Sequence, residues 1–536
     1  MKRIDFLLVA LSICPILGIA QNHDPLVAGK DGAIVRTESG KVRGYIHHDI
    51  YTYKGIPYAK AERFMAPEKP SSWTGIRSSL SYGPVCPTSP TTNVNDEFEF
   101  PFHHDWGYSN ENCLSLNVWT PGINDNQKRP VMVWFHGGGF SNGSSVELPS
   151  YDGENLSRKG NIVLVSVNHR LNVLGFLDLT EYGEKYKSSP NAGLEDLVAA
   201  LQWVKQNIAQ FGGDPDNVTI FGQSGGGGKV TCLMNAPSAK GLFQKAIVES
   251  GSYLTGFTQQ SYSKRIGTAV LEELGFQPNQ VDSLQKIPYE RLNAAAKKAI
   301  TKVSAALKAE GKAVPMFGLD WGPILDGNFL PYQMNESAAD DLSKNIPLLV
   351  GSTKNEFTPF IPGSRDLSMD NARTNLQKKY GDKLEAYLAA VKKAYPQTSK
   401  PSDYIDIDLI FRRGALNQAD HQAGLGGAPV FMYLFTWQSP VLDGVFKAMH
   451  CMELPFVFNN IDRCEEMTGG GKDARALADK ISGAWINFAK TGNPGTKQLP
   501  EWPKYSAQNG AVMILDNTCK LKNNPDKELL EITAAK

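Results

Sequence analysis

Two hydrophobic periods alternate along the chain. Short apolar runs recur at Val131–Phe135, Ile162–Val167, Val218–Phe221, Ala246–Val248, Leu348–Gly351, Val430–Phe435 and Val512–Leu515. Several are continuously apolar, as strands covered on both faces must be. Helical spacing appears between them. In Leu194–Phe211 the apolar positions are Leu194, Leu197, Val198, Leu201, Val204 and Ile208, one face of a helix. Ile34–Ile46 is expected to form a hairpin around Ser39-Gly40. The Lys/Ala-rich stretch Ser261–Ala313 is expected to be helical and to lie over the sheet's carboxyl edge, where open α/β sheets bind ligands. The pattern predicts an α/β fold, with a mostly parallel central sheet, helices on both faces and helical insertions over the active-site edge.

Composition narrows the picture. The chain has 536 residues, 41% hydrophobic and 21% charged, an ordinary globular balance with material for a large core. Fifty-five basic residues balance fifty-five acidic ones, and no long run of like charge suggests a nucleic-acid partner. Lys2 and Arg3 precede an apolar stretch from Phe6 to Ala20, closed by Gly18-Ile19-Ala20. This reads as a signal peptide, residues 1–20, with Gln21 as the mature start and a secreted or periplasmic destination. Cys14 offers a lipoprotein alternative, against which Ile13 is bulky for its position. A buried N-terminal helix is the other alternative, which Pro15 would interrupt. No later stretch is long and apolar enough to span a membrane. Residues 21–536 show no repeat or flexible linker and are read as one domain. Its six cysteines are free to pair in an exported protein, but their connectivity does not follow from the sequence.

Gly222-Gln223-Ser224-Gly225-Gly226 follows the apolar run Val218–Phe221 and opens a helix. This is the Gly-x-Ser-x-Gly elbow, a sharp turn that exposes a serine hydroxyl. The alternative, a phosphate-binding loop, lacks the Gly-Lys-Ser/Thr ending. His136-Gly137-Gly138-Gly139-Phe140 follows another strand. An acyl-transfer enzyme must stabilise a tetrahedral oxyanion, and backbone N–H groups do so when side chains keep clear. Gly138, Gly139 and Gly225 are the expected donors of an oxyanion hole, against the alternative of a plain glycine turn. A serine hydroxyl needs a base, and the base needs an acid to hold its tautomer. Only His421 and His450 follow Ser224, and the base follows the serine in this arrangement.

These motifs, in this order, resemble the type-B carboxylesterase family, which includes cholinesterases and carboxylesterases. The likeness is to a secreted member of bacterial type and covers nearly all of the mature chain. Gly55-Ile56-Pro57-Tyr58-Ala59 resembles the family's opening. Glu111-Asn112-Cys113-Leu114 resembles its Glu-Asp-Cys-Leu signature, with Asn112 in place of Asp. Asn168-His169-Arg170, Phe211-Gly212-Gly213-Asp214-Pro215 and Trp485–Pro494 are also similar. The resemblance implies the α/β-hydrolase fold and a serine hydrolase that cleaves carboxylic esters through an acyl-enzyme. It implies His450 as base, because Met449–Phe458 is similar to the family's histidine loop, and leaves His421 as a surface or packing residue. It implies Glu356 as the triad acid, in the loop after Leu348–Gly351, with Ser250 in support. It also implies a Cys86–Cys113 disulfide and the ion pairs Arg63–Glu111 and Arg170–Asp196.

Two further readings share these residues. An acyltransferase or amidase would use the same triad. A non-catalytic cholinesterase-like binding protein would have lost the serine, which is present here. No metal-ligand cluster or phosphate-binding fingerprint appears, so no cofactor is expected. The expected partner is a small-molecule ester, and the oligomeric state stays open. Cholinesterases usually carry a glutamate just before the nucleophile. Gln223 stands there and adds no charge, which favours neutral esters of short to medium acyl chain over choline esters.

Overall fold

The computed structural model describes residues 25–89, 95–252, 256–314, 318–360 and 366–534. The signal-peptide segment, 1–20, lies outside them. Eleven strands form the main sheet: β1 (Tyr45–His47), β2 (Ile50–Pro57), β3 (Ser115–Thr120), β4 (Arg129–Phe135), β5 (Val163–Val167), β6 (Gly213–Gln223), β7 (Lys245–Glu249), β8 (Leu348–Thr353), β9 (Val430–Phe435), β10 (Ala511–Leu515) and β11 (Lys520–Asn523). Their order across the sheet is β11-β10-β9-β8-β7-β6-β4-β5-β3-β2-β1. The seven strands from β10 to β5 run parallel, and antiparallel strands close both edges.

The parallel strands bury both faces. On β4, Val131, Val133 and Phe135 enter one core, while Met132 and Trp134 enter the other. Helix α1 (Ala192–Asn207) fills the first core with Leu194, Leu197, Leu201 and Val204. On the opposite face the long helix Lys472–Thr491 buries Leu477, Ile481, Trp485 and Phe488. The predicted helix Leu194–Phe211 changes form near its end, because Ile208–Phe211 tightens into a 3₁₀ turn before Gly212 takes a left-handed conformation.

Ile34–Thr37 and Gly40–Arg43 pair as the expected hairpin. Strand β3 has no counterpart among the predicted runs. It is buried along its whole length although Ser115, Asn117 and Thr120 are polar. Asn117 accepts from the Gly55 amide at 2.9 Å and donates to Ser166 Oγ at 3.0 Å. Paired polar groups can enter a core, and they broke the apolar run that would have marked this strand.

The predicted helical insertion forms α3 (Gln260–Leu274) and α4 (Tyr289–Ala309), with the nucleophile helix α2 (Gly225–Met234) before them in the chain. Helix α4 packs on Asn172–Phe176, the short helix that follows the carboxyl end of β5. Arg63 ties the segment between α3 and α4 to the body through the Leu284 and Ile287 carbonyls, at 2.8 and 2.7 Å. Among the described residues, no helix is long and apolar enough to cross a membrane.

Candidate active site

Strand β6 ends at Gln223, and α2 begins at Gly225. Ser224, between them, has φ 57 and ψ −126. A non-glycine residue held there costs on the order of 1–3 kcal/mol, which the surrounding structure must repay. The Ser224 amide donates to Glu249 O at 2.8 Å and so pins the turn to β7. A Cβ on Gly226 would lie 2.0 Å from the Phe135 carbonyl oxygen. That glycine lets α2 start directly against the end of β4.

Glu356 and His450 come from two loops knitted together by their backbones. The His450 amide donates to Glu356 O at 2.9 Å, and the Asn355 amide donates to Ala448 O at 3.1 Å. Both side chains are buried. Glu356 Oε2 accepts a short hydrogen bond from His450 Nδ1. Glu356 Oε1 accepts from Ser250 Oγ at 2.7 Å and from the Thr353 amide at 2.9 Å. A proton on Nδ1 leaves Nε2 as the acceptor, the tautomer that a general base needs. Among the described residues, no hydrogen bond joins Ser224 to His450. Gln223 Nε2 instead stands 3.2 Å from His450 Nε2, and the Cys451 thiol donates to Gln223 Oε1 at 3.3 Å. Bonds of this kind often tighten only when substrate is present.

Two more carboxyls are buried nearby. Burial pushes Glu249 up to about 8, and Trp485 Nε1 donates to it at 2.7 Å. Burial, and then the charge of Glu356, push Glu453 well above the usual carboxylate range. Burial thus disfavours the charged form of both carboxyls. On its other side the imidazole meets aromatic rings, with centroids at 4.2 Å for Phe357 and 5.5 Å for Phe411. These rings were not singled out in the sequence, although Phe357 directly follows Glu356.

The loop after β4 brings its glycines to the nucleophile. Gly138 and Gly139 have φ of +79 and +63, a region that costs other L-residues. A Cβ on Gly225 would lie 2.2 Å from Gly139 O, so α2 and the loop touch backbone to backbone. Among the described residues, no protein group accepts from the Gly138 or Gly139 amides. Ser224, Glu356, His450 and the three glycines are thus held at the ends of β6, β8 and β4 and in the His450 loop.

Other predicted residues stand apart. His421, on the helix Ile410–Gly424, is one-third exposed and 3.5 Å from Asp340. Arg63 grips Glu111 at 2.6 and 2.5 Å, and Arg170 grips Asp196 at 2.9 and 2.7 Å in a buried pair. Among the described residues no disulfide joins the cysteines, and the Cys86 and Cys113 side chains are hydrogen-bonded to one another. A site able to hold a metal could be built only from His47, His48 and Glu154 among the described residues. Each histidine Nδ1 is 2.7 Å from one Glu154 oxygen. Arg463 also reaches that carboxylate at 3.3 Å, a cation where a metal would have to bind.

Residues 31–533 match the sequence profile of the Carboxylesterase family. The para-nitrobenzyl esterase of Bacillus subtilis is 38% identical over 502 residues, covering 92% of this chain and 97% of that protein. The phenmedipham hydrolase of Pseudarthrobacter oxydans is 32% identical, covering 90% and 94%. A solved esterase from Clostridium hathewayi, described as able to hydrolyze aliphatic aromatic polyesters, superposes with a TM-score of 0.84 at 38% identity, covering 94% of this chain and 98% of that one. With the elbow, the glycine loop and the Glu–His pair in one place, these likenesses establish that the chain belongs to the carboxylesterase family, has the α/β-hydrolase fold and is a carboxylic ester hydrolase.

Proposed function

We propose that Ser224, His450 and Glu356 are the catalytic triad and that the Gly138, Gly139 and Gly225 amides form the oxyanion hole. The observation that carries this reading is the chain Ser250–Glu356–His450, buried and continuous in hydrogen bonds, beside a strained Ser224. His450 takes the Ser224 proton as Oγ attacks the ester carbonyl, and the new oxyanion lies among the amides. The protonated imidazole hands its proton to the leaving alcohol, leaving an acyl-enzyme. Water, activated by the same histidine, then releases the acid. Gln223 must give up His450 Nε2 for the first step. Loss of Ser224 is the direct test, argued below.

Neutral esters of short to medium acyl chain are the proposed substrates, acting on the enzyme as small-molecule partners. Gln223 brings an uncharged amide to His450, and Phe357 and Phe411 surround the imidazole with apolar surface. Cholinesterases stack a quaternary ammonium on a tryptophan whose offset from Cys113 falls here on His103; the nearest tryptophan, Trp106, is half exposed and stacked on His104 at 4.6 Å. Asp96 and Glu97 are at least partly exposed, where salt screens them. At about 0.15 M salt, kcat/KM should therefore favour an uncharged carbon isostere over the matching choline ester. A choline ester that wins by about tenfold, roughly 1.4 kcal/mol in the transition state, would reveal a cation site and reject this preference. Gln223→Glu should raise choline-ester activity selectively.

The export reading belongs to the same proposal. Residues 1–20 act as a cleaved signal peptide, and one esterase domain spans 21–536. Outside the cytoplasm a disulfide-bearing oxidant exchanges with the adjacent Cys86 and Cys113 thiols, taking up their two electrons and two protons as its own dithiol and leaving a Cys86–Cys113 disulfide. Peptide mass spectrometry of the exported protein, alkylated without reduction, should find Gln21 as first residue and Cys86 linked to Cys113. Recovery of both cysteines as alkylated thiols rejects the disulfide.

A further inference from the structure

Helix α2 carries a lysine, Lys229, little more than one turn after the nucleophile, and its side chain is fully buried. Removing an ammonium from water is costly unless something replaces the lost hydration. Among the described residues, no carboxylate forms an ion pair with it. Its hydrogen bonds go to two backbone carbonyls of the glycine loop, His136 O at 2.8 Å and Gly139 O at 3.0 Å. The Phe140 ring centroid lies 5.5 Å from the nitrogen.

The two accepted carbonyls bracket the arch. The peptide groups that supply the Gly138 and Gly139 N–H lie between them in the chain. Gly139 O is also the atom against which Gly225 packs. One nitrogen therefore grips the loop at both ends and fixes its contact with the nucleophile helix. We propose that Lys229 is a positioning residue for the oxyanion hole, anchoring the glycine arch and placing positive charge behind the amides that receive the oxyanion. This rests on the assignment of those amides as the hole.

The surroundings suit that role. Burial lowers Lys229 to about 7, with the charge of Glu147 opposing the shift and Cys232 as a minor neighbour. Glu147 is itself pushed up by burial. His136 and His169, stacked with centroids 5.1 Å apart, are driven far below the usual imidazole range by burial and then by Lys229, so they are neutral. Lys229, lowered to about 7, is thus the group of this cluster that can take up a proton near neutral pH. A developing negative oxygen favours its protonated form, so binding of an oxyanion and protonation of the lysine are linked.

Lys229→Met keeps the bulk and removes the charge and donors, while Lys229→Ser keeps one hydroxyl. Both should lower kcat by about ten- to a hundredfold, less than loss of a direct oxyanion donor, with KM little changed. An alkyl trifluoromethyl ketone, which Ser224 converts to a hemiketal oxyanion, should lose affinity by the same factor. The product alcohol, which forms no oxyanion, should bind as before. Native kcat in both variants would overturn the proposal, as would equal losses for the ketone and the alcohol. If neither variant shows a cooperative thermal transition, Lys229 only builds the core and the proposal also falls. Gly139→Val separates the two readings: a slow Gly139→Val beside a native-like Lys229→Met leaves the hole standing and removes the lysine's role.

Discussion

Ser224→Ala should lower kcat by about 10⁶, the loss found for a nucleophile in comparable triads. Without Oγ no acyl-enzyme forms, while the hole and the substrate contacts persist. His450→Ala should cost a similar amount, because the hydroxyl then has no base. The double variant should be little slower than either single one, since the two residues act as one unit. Glu356 is further from the reacting atoms, and its loss should be smaller but still severe. It fixes the imidazole through Nδ1 and is itself held by Ser250 and the Thr353 amide. Burst kinetics with a chromogenic ester check this directly. A Ser224→Ala enzyme that keeps a tenth of native activity would remove the serine from the mechanism, whatever its place in the fold.

Gly139→Val and Gly138→Val should each cost about 10²–10³ in kcat, with smaller changes in substrate binding. The two act differently. A Cβ on Gly138 would meet the Asn142 carbonyl oxygen at 2.4 Å, so the loop itself must move. Around Gly139 the nearest heavy atom to a new Cβ is 4.0 Å away. There the penalty comes from φ +63 and from a side chain entering the space of the oxyanion. Thermal melts separate the cases: Gly138→Val should lose more stability than Gly139→Val. Native kcat in both variants would show that the glycine-rich turn takes no part in the chemistry.

Much of this protein follows from local sequence. The apolar runs mark strands because a parallel strand covered on both faces takes few polar residues, and those it takes usually need a partner. Val131–Phe135 and Val430–Phe435 are legible for that reason. The elbow is equally legible, since Gly222 and Gly226 flank a serine between a strand and a helix. Strand β3 is not, because Asn117 and Ser115 are buried by partners far away in the chain, and no local period announces them. The insertion Ser261–Ala313 shows its helices in its periodicity, but its seat comes from residues distant in the chain, among them Arg63 reaching the Leu284 and Ile287 carbonyls and Asp178 accepting from Ser263.

The candidate site divides in the same way. Residue types and chain order single out Ser224, Glu356 and His450, because acyl transfer needs a nucleophile, a base and an acid. Tertiary structure alone decides which atoms meet. It places Gln223 rather than Ser224 against His450 Nε2, sets the Phe357 ring tilted against the imidazole and brings the Cys86 and Cys113 side chains together. It also turns Lys229, in sequence one residue of a glycine-rich helix start, into a buried amine whose partners are carbonyls about ninety positions earlier. Strand and turn preferences are local energies, so the sequence carries them. Contacts between distant segments depend on the packed geometry of the whole sheet, so only the folded chain reveals them.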